Sequence, residues 1–213
     1  MDFYPGEAML SLMKLYKKTG RKRYLKAIIK AFPYYREYWR RNKNTAFIPW
    51  HSQVYYLLYQ ETKNPELPRF VFEMNDWLIN KYQIRESQYP DQIGGFPKRN
   101  PRNSSASYLE GINDAYSLAQ LIHDEKHIAK YKKTIAMGVR FILHTQFTKE
   151  NSFYVKNPSR VIGGFHGSLT SNVQRNDYTQ HALMALIKTY RNGIFIPNWF
   201  WFVRKIQLVS IKW

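Results

Sequence analysis

Ile162-Gly163-Gly164-Phe165, with the polar run that leads from it to Asp177-Tyr178-Thr179-Gln180, repeats an earlier passage of the same chain. The earlier copy reads Ile93-Gly94-Gly95-Phe96, and its polar stretch leads to Ser107-Tyr108-Leu109-Glu110. Paired glycines permit positive φ or a close backbone approach, and the aromatic that follows can anchor a long loop. Two copies placed alike before two helix-like segments indicate duplication, so the chain is best read as a set of repeats.

Working outward, four segments share one pattern. Gly6-Glu7-Ala8 leads Met9, Leu10, Leu12, Met13 and Leu15, and stops at Gly20; His51-Ser52-Gln53 leads Val54, Tyr55, Leu57 and Leu58. Glu110-Gly111-Ile112 leads Ala115, Leu118, Ala119 and Ile122, and Gln180-His181-Ala182 leads Leu183, Ala185, Leu186 and Ile187. Apolar positions three and four apart predict helices, and apolar residues on several sides predict burial on more than one face, as an inner helix requires. Between them, about 22–40, 69–82 and 126–147 carry more charge and a single apolar stripe, as in Leu25, Ile28, Ile29, Phe32 and Tyr35, the pattern of surface helices.

The predicted order alternates inner and outer helices, with short turns on one side and long connections, about 83–106 and 148–176, on the other. Long loops inside a domain are usually functional. The expected fold class is therefore all-α: antiparallel helical hairpins forming an incomplete (α/α) toroid or arc. Residues 1–192 make up this domain, with 193–213 as an apolar C-terminal tail packed on it or at an interface.

Composition narrows the function without naming it. The 213 residues are 44% hydrophobic, enough for a sizeable core, and the 17% aromatic share suits both core filling and stacking on flat ligands. A formal charge of +18 favours anionic partners, yet the cations are spread along the chain and no nucleic-acid module is recognisable, so no specific nucleic acid is expected. The absence of cysteine excludes disulfides, thiolate metal sites and a cysteine nucleophile. No phosphate-binding glycine loop, dinucleotide fingerprint or nucleophile elbow occurs, and no cofactor is expected. The opening Met1-Asp2-Phe3-Tyr4-Pro5 lacks the signature of a signal peptide and no run is long enough to span a membrane, so a cytoplasmic protein is expected.

The phrases Tyr4-Pro5-Gly6-Glu7-Ala8, Pro49-Trp50-His51-Ser52-Gln53, Glu73-Met74-Asn75-Asp76-Trp77, the two Ile-Gly-Gly-Phe loops and Asp177-Tyr178-Thr179-Gln180-His181 carry a resemblance. Over about residues 4–192 the chain resembles the six-hairpin glycosidase-like superfamily, the (α/α) barrels that include glycoside hydrolases, polysaccharide lyases and sugar epimerases. Its Tyr-Pro-Gly-Glu-Ala opening is also similar to the helical C-terminal part of uronyl C5-epimerase-like proteins. The resemblance implies a carbohydrate-active domain acting on or binding an acidic saccharide. It departs from the family in having about three and a half hairpins instead of six.

Aligning the inner helices stacks Glu7, Gln53, Glu110 and Gln180 at one level, where carboxylates and amides could grip hydroxyls and support acid/base chemistry. The same residues in a first helical turn would simply complement the helix dipole. His181 follows Asp177 by four residues and shares its helical face, while His51 follows Trp50. Glu110 and Asp177 are the acid/base candidates, with Tyr178 and His181 as partners. Glu7, Trp50, His51, Gln53, Asp76, Trp77, Tyr108, Arg175 and Gln180 are the candidate substrate-binding residues, with Arg175 suited to bidentate recognition of a uronate carboxylate. No metal site is expected, since no zinc-type histidine motif lies at this face. The competing class is a non-catalytic helical scaffold or degenerate enzyme that binds a protein, peptide or glycan in the groove. Free apolar edges of an open arc also predict a homodimer.

Overall fold

The computed structural model describes residues 2–194. Among these residues seven α-helices follow one another: α1 (Tyr4–Thr19), α2 (Lys22–Arg41), α3 (Phe47–Thr62), α4 (Glu66–Tyr82), α5 (Ser104–Leu121), α6 (Glu125–His144) and α7 (Asn176–Arg191). The fold class is all-α, as the periodicity predicts. The expected tail, its packing on the domain and any interface it forms fall on residues outside those described, apart from Gly193 and Ile194.

Neighbouring helices alternate in depth. α1, α3, α5 and α7 form a row in which each packs on the next, while α2, α4 and α6 lie outside and bridge adjacent members of the row. Short turns make this possible. Gly20 closes α1 in the left-handed region, with φ 67° and its N–H on Tyr16 O at 2.8 Å, and Lys63 closes α3 the same way. Asp124 caps α6 through the His127 N–H. The core lies between the two layers. Trp39, Tyr55, Phe70, Tyr131 and Phe141 are among its largest fully buried side chains, with Phe32, Trp39 and Tyr55 packed edge-on or tilted against Phe70.

Two inner helices begin earlier than their periodicity suggests. α3 opens at Phe47, where Asn44 Oδ1 accepts the Phe47 N–H at 2.9 Å, and Pro49 sits in the first turn, where no N–H is needed. α5 opens at Ser104. Gln53 and Glu110 thus lie in the second turn, beyond the reach of ordinary N-terminal capping. The inner helices approach closely at these levels: a Cβ on Gly111 would come within 2.7 Å of Pro49 Cα.

The duplicated glycine loops adopt one architecture twice. In the first copy Ile84, just past α4, exchanges backbone hydrogen bonds with Gly94 and Gly95 at 2.8 and 3.0 Å. In the second, Phe147, just past α6, does the same with Gly163 and Gly164 at 2.8 and 2.9 Å. Gly94 and Gly163 have nearly equal positive φ, 96° and 91°, which explains the first glycine of each pair. Phe96 and Phe165 are both buried, and each is tied through its N–H to a hydroxyl in the next inner helix, Ser105 and Thr179.

The second long connection is ordered in part as strand, which the sequence did not announce. Residues His166–Ser168 (β1) and Ser171–Gln174 (β2) form a small antiparallel hairpin. It is braced from both sides, by His166 N–H on Thr145 O at 2.9 Å and by Asn103 N–H on Gly167 O at 2.8 Å. The second bond joins the two long loops over the N-terminal ends of α5 and α7.

Candidate functional site

The N-terminal ends of α5 and α7 and the hairpin between them enclose a cleft of about 290 Å³. Arg102, Asn103, Ser104 and Ser107 line one side; Asp177, Tyr178 and His181 line the other, with Gly167 at the hairpin wall. A Cβ on Gly167 would crowd the Tyr178 ring at 3.3 Å. The volume lies at the lower end of those found for small-ligand sites.

His181 is the central group. Its Nδ1 lies 2.6 Å from Glu110 Oε1, and Glu110 is only 4% exposed whereas the imidazole is partly open to the cleft. The hydrogen bond to Glu110 raises the His181 pKa above its ordinary value, against the opposing effect of burial; the charges of Glu110, Asp177 and Glu7 add to it. A histidine held by a buried carboxylate is biased toward its protonated form and kept in one orientation. Trp50 approaches the same ring edge-on, with centroids 6.1 Å apart.

Asp177 is held differently. Arg175 Nε and a terminal guanidinium nitrogen donate to its two oxygens at 2.9 and 2.8 Å, and the same guanidinium lies 5.0 Å over the Tyr178 ring. This fork explains the raised Arg175 pKa. It also means that Asp177 reaches the cleft as one half of an ion pair.

Below this level a second pair follows. Asp114, one turn after Glu110, accepts from Lys188 Nζ at 2.6 Å; Lys188 also reaches Glu110 O at 3.4 Å. Burial pushes the Asp114 pKa up, with Lys188 opposing. Lys14 of α1 also acts on Asp114 electrostatically, as Glu7 does on His181. The polar side of the inner row therefore carries two charged tiers along its length, set by seven-residue steps from Glu7 to Lys14 and from His181 to Lys188, about 10 Å at the helical rise.

The structure brings Glu110, Asp177, Tyr178 and His181 together, with Trp50 and Arg175 beside them and Glu7 in electrostatic reach. The remaining sequence candidates sit elsewhere. His51 is fully buried, its Nδ1 on Phe47 O at 2.7 Å and its ring stacked on Phe47; desolvation pushes its pKa down to about 3. Asp76 binds Lys130 Nζ at 2.8 Å and Tyr131 Oη at 3.0 Å between α4 and α6, on the outer layer. Trp77 packs against Trp39 and Tyr82 on that layer too. Both were expected at the cleft because α4 runs back toward it; α4 does so on the far side of the inner row. Tyr108 turns to Thr45 Oγ1 at 2.9 Å. Gln180 is exposed and Gln53 half-buried, and neither lines the cleft.

Arg102, Asn103, Ser107 and the Asp114–Lys188 pair were not singled out from sequence. For Asp114 and Lys188 the signal was present: they follow Glu110 by four residues and His181 by seven, and so share their helical faces. Among the described residues no three histidine or acidic side chains cluster as metal ligands would, and no helix is long and apolar enough to cross a membrane. The chain matches no known family, curated protein or solved structure.

Proposed function

We propose that the cleft over α5 and α7 is a carbohydrate-directed site, and that its ligand is an acidic saccharide. The observation that carries this reading is the buried Glu110 bonded to His181, which lines the cleft. Such a pair can transfer a proton to or from an oxygen or carbon of a bound ligand, the step common to hydrolysis, β-elimination and epimerisation. His181 is the proton-transferring group, Glu110 orients and charges it, and Tyr178 supplies a neighbouring hydroxyl. Arg102 lines the cleft as a cation for a ligand carboxylate, with hydroxyl and amide donors from Ser107 and Asn103 for sugar hydroxyls; the Arg175 fork is taken by Asp177. The alternating hairpins, with long loops gathered over the inner-helix N-termini, support the likeness to (α/α) toroid enzymes.

A second reading is favoured by Asp177, whose two oxygens are both occupied by Arg175. In that reading the cleft holds a glycan without turning it over. One screen separates the two. Wild type, Glu110→Gln and His181→Asn are titrated calorimetrically with neutral and uronic-acid oligosaccharides, and the mixtures are analysed by mass spectrometry and NMR for cleavage, unsaturated ends or inverted C5 centres. The enzyme reading expects product from an acidic saccharide, reduced at least a hundredfold in both variants. Binding without product gives the second reading. No binding by any saccharide removes both.

A further inference from the structure

The hairpin that walls the cleft anchors an aromatic pair that the core does not use. Phe153 is 82% exposed and Tyr154 52% exposed, their rings 5.5 Å apart and perpendicular. Burying neither ring forgoes a stabilisation that aromatic side chains usually supply, and adjacent exposed rings commonly mark a contact surface. The pair is also held in place. Tyr154 Oη donates to Asn172 Oδ1 at 3.0 Å, Val155 N–H bonds Ser152 O, and Ser152 is itself buried with its hydroxyl on Thr148 O at 2.5 Å.

Asn172 belongs to β2, and β2 pairs with β1, whose Gly167 forms the cleft wall. One strand spacing of about 4.8 Å therefore separates the strand that anchors Tyr154 from the strand that bounds the cleft. Lys149, Lys156 and Arg160 are exposed in the same loop, as is Glu150, so the segment carries a net positive charge.

We propose that Phe153 and Tyr154 form a stacking subsite for a further sugar ring of the ligand held in the cleft, so that the ligand is an acidic oligosaccharide or polysaccharide chain rather than a single sugar. A pyranose presents C–H faces that pack on an aromatic ring, and carboxylates on the same chain meet the flanking lysines and arginine. The inference rests on the cleft being saccharide-binding and adds to it the direction in which the chain leaves: over the hairpin, toward residues 149–160.

The test is calorimetric titration of the full chain with uronic-acid oligosaccharides of increasing length, comparing wild type with Phe153→Ala, Tyr154→Ala and Tyr154→Phe. Both rings are exposed, so the alanine variants should fold; circular dichroism checks this. Affinity should rise with length in the wild type. Each alanine variant should lose about two- to tenfold for the longer ligands, leaving the shortest binding ligand unchanged, while Tyr154→Phe keeps most of the gain. Equal losses for short and long ligands, or no loss, overturn the proposal yet leave the cleft reading intact. If no saccharide binds at all, both fall. A drop in sedimentation coefficient on Phe153→Ala would show that a second copy covers the pair, and would also overturn it.

Discussion

His181 Nδ1 and Glu110 Oε1 are 2.6 Å apart although 71 residues separate them, one on the partly open flank of α7 and the other in the buried second turn of α5. The bond reports the packing of the two inner helices directly. It couples the charge of the cleft to a side chain that solvent barely reaches.

That coupling has a spectroscopic consequence. His181 should titrate above the ordinary histidine value near 6.5, and Glu110→Gln should lower its midpoint by removing the acceptor charge. Because the folded value is raised, the pair contributes stability that is complete below the unfolded value and lost as pH rises through the folded one. NMR titration of the imidazole in both proteins measures this. An unchanged midpoint in Glu110→Gln would disprove the coupling.

His51 should act in the opposite sense. It is buried neutral with its pKa near 3, whereas the unfolded chain takes up a proton at about 6.5. Its folded value is depressed, so stability is complete above about pH 6.5 and declines toward pH 3, by up to about 1.4 kcal/mol per pH unit within that window. His51→Phe removes the titration at the cost of the bond to Phe47 O, about 1 kcal/mol. Urea unfolding across this range should show a shallower acid dependence for the variant. Parallel curves would assign the acid sensitivity to other groups.

Asp114 and Lys188 should behave as a coupled unit. Their side chains are 15% and 17% exposed, so Lys188→Met leaves a largely buried carboxylate without its hydrogen-bonded cation. We expect a loss of about 3 kcal/mol for that single change. The double variant Asp114→Asn, Lys188→Met should lose less than the sum of the two singles, by about 1–3 kcal/mol. Additive losses in chemical denaturation would mean the pair is no more than a surface contact.

The hairpin order was legible in the sequence because inner and outer helices differ in how many faces they bury, and burial leaves a periodic trace. The starts of α3 and α5 were not, since Phe47-Ile48-Pro49 and Ser104-Ser105 precede the periodic run and owe their helical state to Asn44 and to loop contacts. The β-hairpin was invisible for a similar reason: His166-Gly167-Ser168 has little strand preference and is held by Thr145 and Asn103 from outside. Asp177 and Tyr178 were recognisable from their places at the start of α7, and Glu110 and His181 from their level along the inner helices. That Glu110 pairs with His181, and Asp177 with Arg175, is decided by side-chain directions in three dimensions. Asp76 and Trp77 failed because their level along α4 said nothing about which side of the inner row they would occupy.

The backbone bond from Asn103 to Gly167 has a further implication for how such a molecule can change. Neither long loop is an independent variable. A substitution or insertion near 100–103 moves the edge on which the hairpin is seated, and a change in the hairpin shifts the segment that opens α5. Grafting one loop from a homologous chain would therefore deliver a mismatched half. New specificities in this architecture should arise through paired exchange of both segments, and drift in one should leave a compensating mark in the other.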